Sequence, residues 1–169
     1  MTKKIMCVVA IASAMGAVTL PAQEGKTKPG EGTLMLKGKN YPLKNAVAYE
    51  TTIDGEEGVA VVLSGPTISS EKLNEARKSE KVGEIPDFRK PYVRLEFTKA
   101  GELKGWGAGA GDISLGRHTS NATGELKLQD GRAIGKAIQP NETEGNVSLG
   151  LGCAFQCAAA PRWRIVAAL

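Results

Sequence analysis

The side chains able to carry chemistry are few. His118 is the single histidine of the 169 residues, and so the one side chain whose unperturbed pKa lies close to neutrality. Asp112, Ser114 and Ser120 are near it in sequence, which is enough to draw a hydrolase with His118, Asp112 and a nearby serine. Triads are assembled by the fold from distant segments, however, and Ser114 lacks the Gly-x-Ser-x-Gly elbow that exposes a nucleophile. The polar run Arg117 to Asn121 reads more simply as a solvated loop. Cys153 and Cys157 are the next candidates, because the third cysteine, Cys7, sits inside an N-terminal apolar run. Residues four apart on a strand are separated by roughly 13 Å, whereas bridged Cα atoms lie within about 7 Å. A disulfide between them therefore needs a turn or helix, which Gly150, Gly152 and the flanking alanines permit. A bridge and two free or intermolecular thiols both stay open. With His118 these thiolates make three ligands at most and no paired Cys-x-x-Cys knuckle, so no metal site is expected.

Two further groups invite a ligand. Asp54, Glu56 and Glu57 form an acidic cluster, but their spacing misses the calcium loop of an EF-hand, and hairpin tips are commonly charged. The run Gly105-Trp106-Gly107-Ala108-Gly109-Ala110-Gly111 lets backbone N–H groups approach an anion. It lacks the Gly-Lys-Ser/Thr ending of a phosphate loop and no predicted helix follows it, so a curved strand or surface loop is expected and no cofactor is implied. Trp106 within it is either a ligand platform or an anchor for a glycine-weakened strand. The triplets beginning at Asn121, Asn141 and Asn146 have the form of N-glycosylation acceptors; outside a eukaryotic secretory pathway they mark only polar, turn-rich sequence.

The elements that must hold these residues are mostly strands. Leu34 and Leu36 alternate with Thr33, Met35 and Lys37, and Gly38-Lys39 turns the chain. Tyr41 to Ile53 reads as one run ending at Asp54-Gly55, a hairpin signal, and Val59 to Leu63 returns. Tyr92 to Thr98 is the clearest half-buried strand, with Val93, Leu95 and Phe97 inward and Arg94, Glu96 and Thr98 outward. Thr123 to Gln129, Asp130-Gly131 and Arg132 to Ile138 make a second such hairpin, and Trp163 to Leu169 a last short strand. One helix is expected near residues 69–81, capped by Ser69, with Glu71 in its first turn, an Ile68–Leu73 staple and a stop at Gly83. Its apolar face is thin, essentially Leu73 and Ala76, so it is expected to cover a sheet edge or a barrel end. Short strands joined by hairpins, with no βαβ rhythm, predict a mainly β antiparallel meander forming a small barrel or sandwich.

The N-terminus supplies an address. Lys3 and Lys4, an apolar run from Ile5 to Leu20 and the small-residue exit Pro21-Ala22 have the order of a secretory signal peptide. The run is short of the roughly twenty residues that span a bilayer. Cleavage after Ala22, Ala17 or Ala14 is expected, and Cys7 is placed too early for lipoprotein processing. The organisation read from this is a leader over 1–22, a polar tether over 23–31 and a single β-rich domain over 32–169. Removing the two leader lysines brings the formal charge of +4 to about +2. The remaining basic residues alternate with acids, unlike the dense basic face of a nucleic-acid binder. Aromatic content of 5% does not suit the girdles of an outer-membrane barrel. No transmembrane span is expected after cleavage.

The stretch Gly32-Thr33-Leu34 through Gly38-Lys39, Tyr41 and Ala46-Val47-Ala48-Tyr49-Glu50 resembles a group of small secreted bacterial β-rich proteins without an established activity. The likeness continues through Val61-Val62-Leu63-Ser64, Leu95 to Gly101 and Gly124 to Leu128, while Gly145 to Arg162 departs from it. These are strand and turn residues, so the resemblance implies a shared fold and a bacterial, extracytoplasmic setting, and it carries over no functional site. The expected function is that of a periplasmic or secreted, non-enzymatic domain binding a small ligand or a cell-surface component, the alternative being the hydrolase above. If the strands enclose a cavity, Leu95 and Phe97 line it, with Trp106 as a further ligand-binding candidate.

Overall fold

The computed structural model describes residues 30–81, 88–118, 121–144 and 147–160. The expected leader, residues 23–29 of the expected tether, the expected helix stop at Gly83, Ser120 and the expected strand Trp163–Leu169 lie outside the described residues, and Gly30 and Glu31 belong to a strand instead of the tether. In chain order the elements are β1 (Gly30–Leu36), β2 (Lys39–Leu43), β3 (Asn45–Ile53), β4 (Glu56–Ser64), α1 (Ser70–Lys81), β5 (Tyr92–Thr98), β6 (Leu103–Ala110), β7 (Ile113–His118), β8 (Thr123–Gln129), β9 (Arg132–Glu144) and β10 (Val147–Ala160). The pairs Lys37-Gly38, Asp54-Gly55 and Asp130-Gly131 all have positive φ at both residues. That conformation gives a two-residue turn the twist of the strands it joins, and each pair closes a hairpin.

Two five-stranded antiparallel sheets result, and they do not close into a barrel. The first runs β8-β9-β10-β1-β2 and the second β3-β4-β5-β6-β7. At one seam Ala159 and Ala160 of β10 pair in parallel with Ala48 and Tyr49 of β3. At another, the Leu126 N–H donates to the Gly101 carbonyl. The sandwich-like interior is filled by inward residues of both sheets, among them Leu34, Leu36, Val61, Leu95, Phe97, Trp106, Leu151 and Phe155.

Three further expectations change. The run Tyr41–Ile53 breaks at Lys44, whose N–H turns to the Ser64 carbonyl at 2.9 Å, so that β2 and β3 enter different sheets. The segment carrying the cysteines is a 14-residue strand. Finally, α1 lies on the outer face of the second sheet instead of at an edge or a barrel end: Ala76, Leu73 and Ile68 pack with Tyr49, Ala60, Val62, Phe88 and Tyr92 in a second apolar cluster. Its cap forms as the sequence predicts, with the Lys72 N–H donating to Ser69 Oγ at 3.2 Å. The staple pair Ile68 and Leu73 meets in that cluster. Capping and burial together are what hold so polar a helix.

Candidate functional site

The densest polar arrangement lies where the last turn of α1 meets the second sheet. Alternation on β5 sends Arg94 and Glu96 to the same outer face that β3 lines with Tyr49 and Thr51. The Glu80 carboxylate descends onto them from α1. Its Oε1 accepts from the Tyr49 hydroxyl at 2.7 Å and from Arg94 Nη2 and Nε at 2.6 and 3.1 Å, while Oε2 accepts from the Thr51 hydroxyl. Arg94 also pairs with Glu96, and Arg117 Nε of β7 reaches the other Glu96 oxygen at 2.7 Å. Arg117 then closes a two-point contact on Asp54, at 2.5 and 2.8 Å. Acids and bases thus alternate from Glu80 under the helix to Asp54 at the β3–β4 hairpin tip.

The glycine run explains how Arg117 crosses β6. Gly105 stands opposite Glu96 and Gly107 opposite Arg94, so β6 places no side chain between β7 and the charged row on β5. Its alternate residues Trp106, Ala108 and Ala110 face the interior. The run is neither a phosphate loop nor a surface loop; it is a central strand with one bare face.

Burial sets the electrostatics. Arg94, Glu80 and Glu96 side chains are 12 to 13% exposed. Burial works against the Arg94 charge, but the neighbouring Tyr49, Glu80 and Glu96 oxygens more than offset it and the net shift is upward. The Tyr49 phenol is pushed up, mainly by burial, so it serves as a hydrogen-bond donor and not as a base. At the exposed end, the hydrogen bond from Arg117 holds the Asp54 carboxyl below its ordinary value. The Arg77 guanidinium stacks over the Tyr49 ring, 5.7 Å from its centroid. Every group here is engaged in an ion pair, a hydrogen bond or a ring contact, and none is poised as a nucleophile. The arrangement binds a helix to a sheet.

The residues singled out from sequence are distributed elsewhere. Leu95, Phe97 and Trp106 are at most 1% exposed, with the Phe97 ring 6.0 Å from that of Phe155. They are packed interior. Asp112 lies in the β6–β7 turn and Ser114 and His118 at opposite ends of β7; four residues of strand put the last two Cα atoms roughly 13 Å apart. Cys153 and Cys157 are free thiols on the inward face of β10, held apart by the same spacing. Burial pushes both up to about 12. Asp54 is taken by Arg117, and no group of three His, Cys, Asp or Glu side chains suited to a metal occurs among the described residues. A half-open concavity of about 260 Å³ sits beside the helix N-terminus, between Ile68, Ser69, Lys72 and Glu75 on one side and Phe88 and Arg89 on the other. No helix among the described residues is long and apolar enough to cross a membrane.

Sequence reasoning missed Glu80, Tyr49 and Thr51 as partners. Tyr49 and Thr51 carried the signal, since Val47, Tyr49 and Thr51 are larger than the Ala46 and Ala48 that alternate with them and face the interior; a strand with its bulk on the outer face needs a cover. No protein-family model, no curated protein and no solved structure matches the chain.

Proposed function

We propose that the chain is an exported, non-enzymatic β-domain that works by surface contact with a component of the cell envelope. The observation carrying this reading is the filling of the interior. Leu95 and Phe97, which would line a cavity if the sheets enclosed one, are instead packed with Trp106, Phe155 and Leu151, and small-molecule sites are concave spaces of several hundred Å³. A contact surface is then a better use of the fold than an enclosed pocket. Export rests on the leader-like order of Lys3, Lys4, Ile5 to Leu20 and Ala22, and a bacterial host on the resemblance alone. The separation of Ser114 and His118 along β7 supports the non-enzymatic side of the reading.

Native mass spectrometry of protein purified from its own host tests this directly. An unliganded mass, with a new N-terminus after Ala22, Ala17 or Ala14, is the expected result. A reproducible small-molecule adduct overturns surface contact, and an intact leader overturns export. Turnover of any member of an ester and glycoside panel that His118→Ala abolishes without loss of stability overturns the non-enzymatic assignment.

A further inference from the structure

The outer face of the first sheet is ordered about its central strand, β10. At one level across β1, β10, β9 and β8 stand Glu31, Ala154, Lys136 and Glu125, and at the next Thr33, Gly152, Ile138 and Thr123. All eight are exposed. The small Ala154 and Gly152 leave a shallow trough along β10, with Glu31 and Thr33 on one bank and Lys136 and Ile138 on the other. We propose that this face pairs with the same face of a second copy of the chain, about a two-fold axis lying along β10. Such a pairing goes beyond the surface-contact reading and does not rest on it.

Charge selects both the occupant and the axis. A two-fold interface sets a patch against itself, and an axis along β10 exchanges the two banks without shifting any residue along the strands. Glu31 of each copy then meets Lys136 of the other, and Thr33 meets Ile138, every contact occurring twice. An axis across the strands at Ala154 would instead set Glu31 against Glu31 and Lys136 against Lys136, and that juxtaposition of like charges rejects it. Lys136 lies 3.3 Å from Glu125 of its own chain; an ammonium has three donors, so it takes the second carboxylate without giving up the first. The other bases on this face, Lys127 and Arg132, lie past the start of β1 and oppose no strand among the described residues. On the axis, Gly152 and Ala154 put no long side chain between the sheets, and Thr33 and Ile138 fill the space beside them. Five strands about 4.8 Å apart, with about six residues of each, give a patch on the order of 500 Å² a copy. Twice that area is at the lower end for a specific interface, so the dissociation constant should be on the order of 100 µM. At the low micromolar protein of a stability measurement the face stays open to solvent.

Sedimentation equilibrium of protein purified from its own host, from about 10 µM to about 1 mM, reads the association. A monomer–dimer equilibrium is expected, weaker in high salt. Glu31→Lys and Lys136→Glu each set like charges together at both symmetric positions and should weaken self-association at least about tenfold. Both positions are on the surface, so neither change disturbs the core. Mixed in equal amounts, the two variants should dimerise again, because one chain then carries a base at both positions and the other an acid at both. A monomer at every concentration, a dimer indifferent to both variants, or variants that stay monomeric on mixing each overturns the pairing. A heavier species whose mass is not twice that of the monomer assigns the face to a different partner and overturns it too.

Discussion

On the second sheet the outward residues Tyr49, Ala60, Val62 and Tyr92 are buried under α1 and Arg94 is drawn into an ion-pair row, whereas on the first sheet the outward residues Thr33, Gly152, Ala154 and Ala158 are open to solvent. Both sheets spend their inner faces on the same core, so the contrast lies entirely in what the outer positions carry. The first sheet limits the apolar area it leaves exposed by using small and polar residues, with Leu128 and Ile138 the exceptions at 43% and 51% exposure. The second carries rings, branched aliphatics and charges, and needs a cover. A polar helix with a thin apolar stripe suffices for that because the sheet offers it ionic partners as well.

The largest effect expected from this contrast is at Arg94. Arg94→Ala leaves Glu80 largely buried without a guanidinium and Glu96 with that of Arg117 alone, and should cost about 3 to 5 kcal/mol, read from the urea midpoint. The corresponding change on the open face, Lys136→Ala, breaks a pair with Glu125 in which both side chains are more than 60% exposed and should cost less than about 1 kcal/mol. Equal costs would remove the distinction between the faces.

The shared interior gives the next effect. The Cys153 and Cys157 thiols rise from 9.0 to about 12 on burial. A group whose folded pKa is raised contributes stability that is complete below its unfolded value and lost as pH climbs toward the folded one. Urea midpoints should therefore be flat up to about pH 9 and then decline, the two thiols together accounting for on the order of 5 kcal/mol by about pH 11. Tyr49, also pushed upward by burial, adds its own share. A Cys153→Ala, Cys157→Ala double variant should flatten the thiol part of the alkaline limb, and an unaltered limb would mean that the thiols are accessible. Rapid labelling of the native thiols would say the same.

A matched pair of glycines isolates the cover from the charges. A Cβ on Gly109 would lie 2.5 Å from the Tyr92 ring, whereas one on Gly152 meets nothing within 4 Å. Gly109→Ala should destabilise by about 1 to 3 kcal/mol, as overpacking does. Gly152→Ala should be neutral to within about 0.5 kcal/mol or slightly stabilising, since it only restricts the unfolded chain. A costly Gly152→Ala would show that the open face is occupied in solution.

How much of this was legible depended on residue type. The Asp54-Gly55 and Asp130-Gly131 turns, the β5 alternation and the Ser69 cap were readable because glycine, aspartate and serine act through their own backbone neighbours. The strand β10 was missed although Leu149, Leu151, Cys153, Phe155 and Cys157 alternate perfectly along it; the intervening Gly150, Gly152, Ala154 and Ala158 have little intrinsic strand preference, and pairing on both sides with β9 and β1 overrides that. The ion-pair row was invisible for another reason. Glu80 and Tyr49 are 31 residues apart and Arg117 and Asp54 are 63 apart, and helical periodicity around Leu73 and Ala76 says which face is apolar but not which strand lies beneath it. Alternation puts Arg94 and Glu96 on the outer face, but it does not show that the Glu80 end of a helix comes down on Arg94 there.

The smallest effect belongs to Asp54, where the charged row meets solvent. Asp54→Asn is a clean probe because Asn-Gly forms the same positive-φ turn as Asp-Gly, so the hairpin is preserved and only the charge facing Arg117 is lost. The Arg117 hydrogen bond lowers the Asp54 carboxyl in the folded chain; its contribution is therefore present above the unfolded value and lost as pH falls through the folded one. Wild type should exceed the variant slightly at neutral pH and low ionic strength. The gap should vanish on acidification and in about 1 M salt, where screening acts within about 3 Å. A gap that survives salt would mean that the hairpin tip is shielded from solvent, and would extend the covered region of the second sheet from the helix out to the β3–β4 turn.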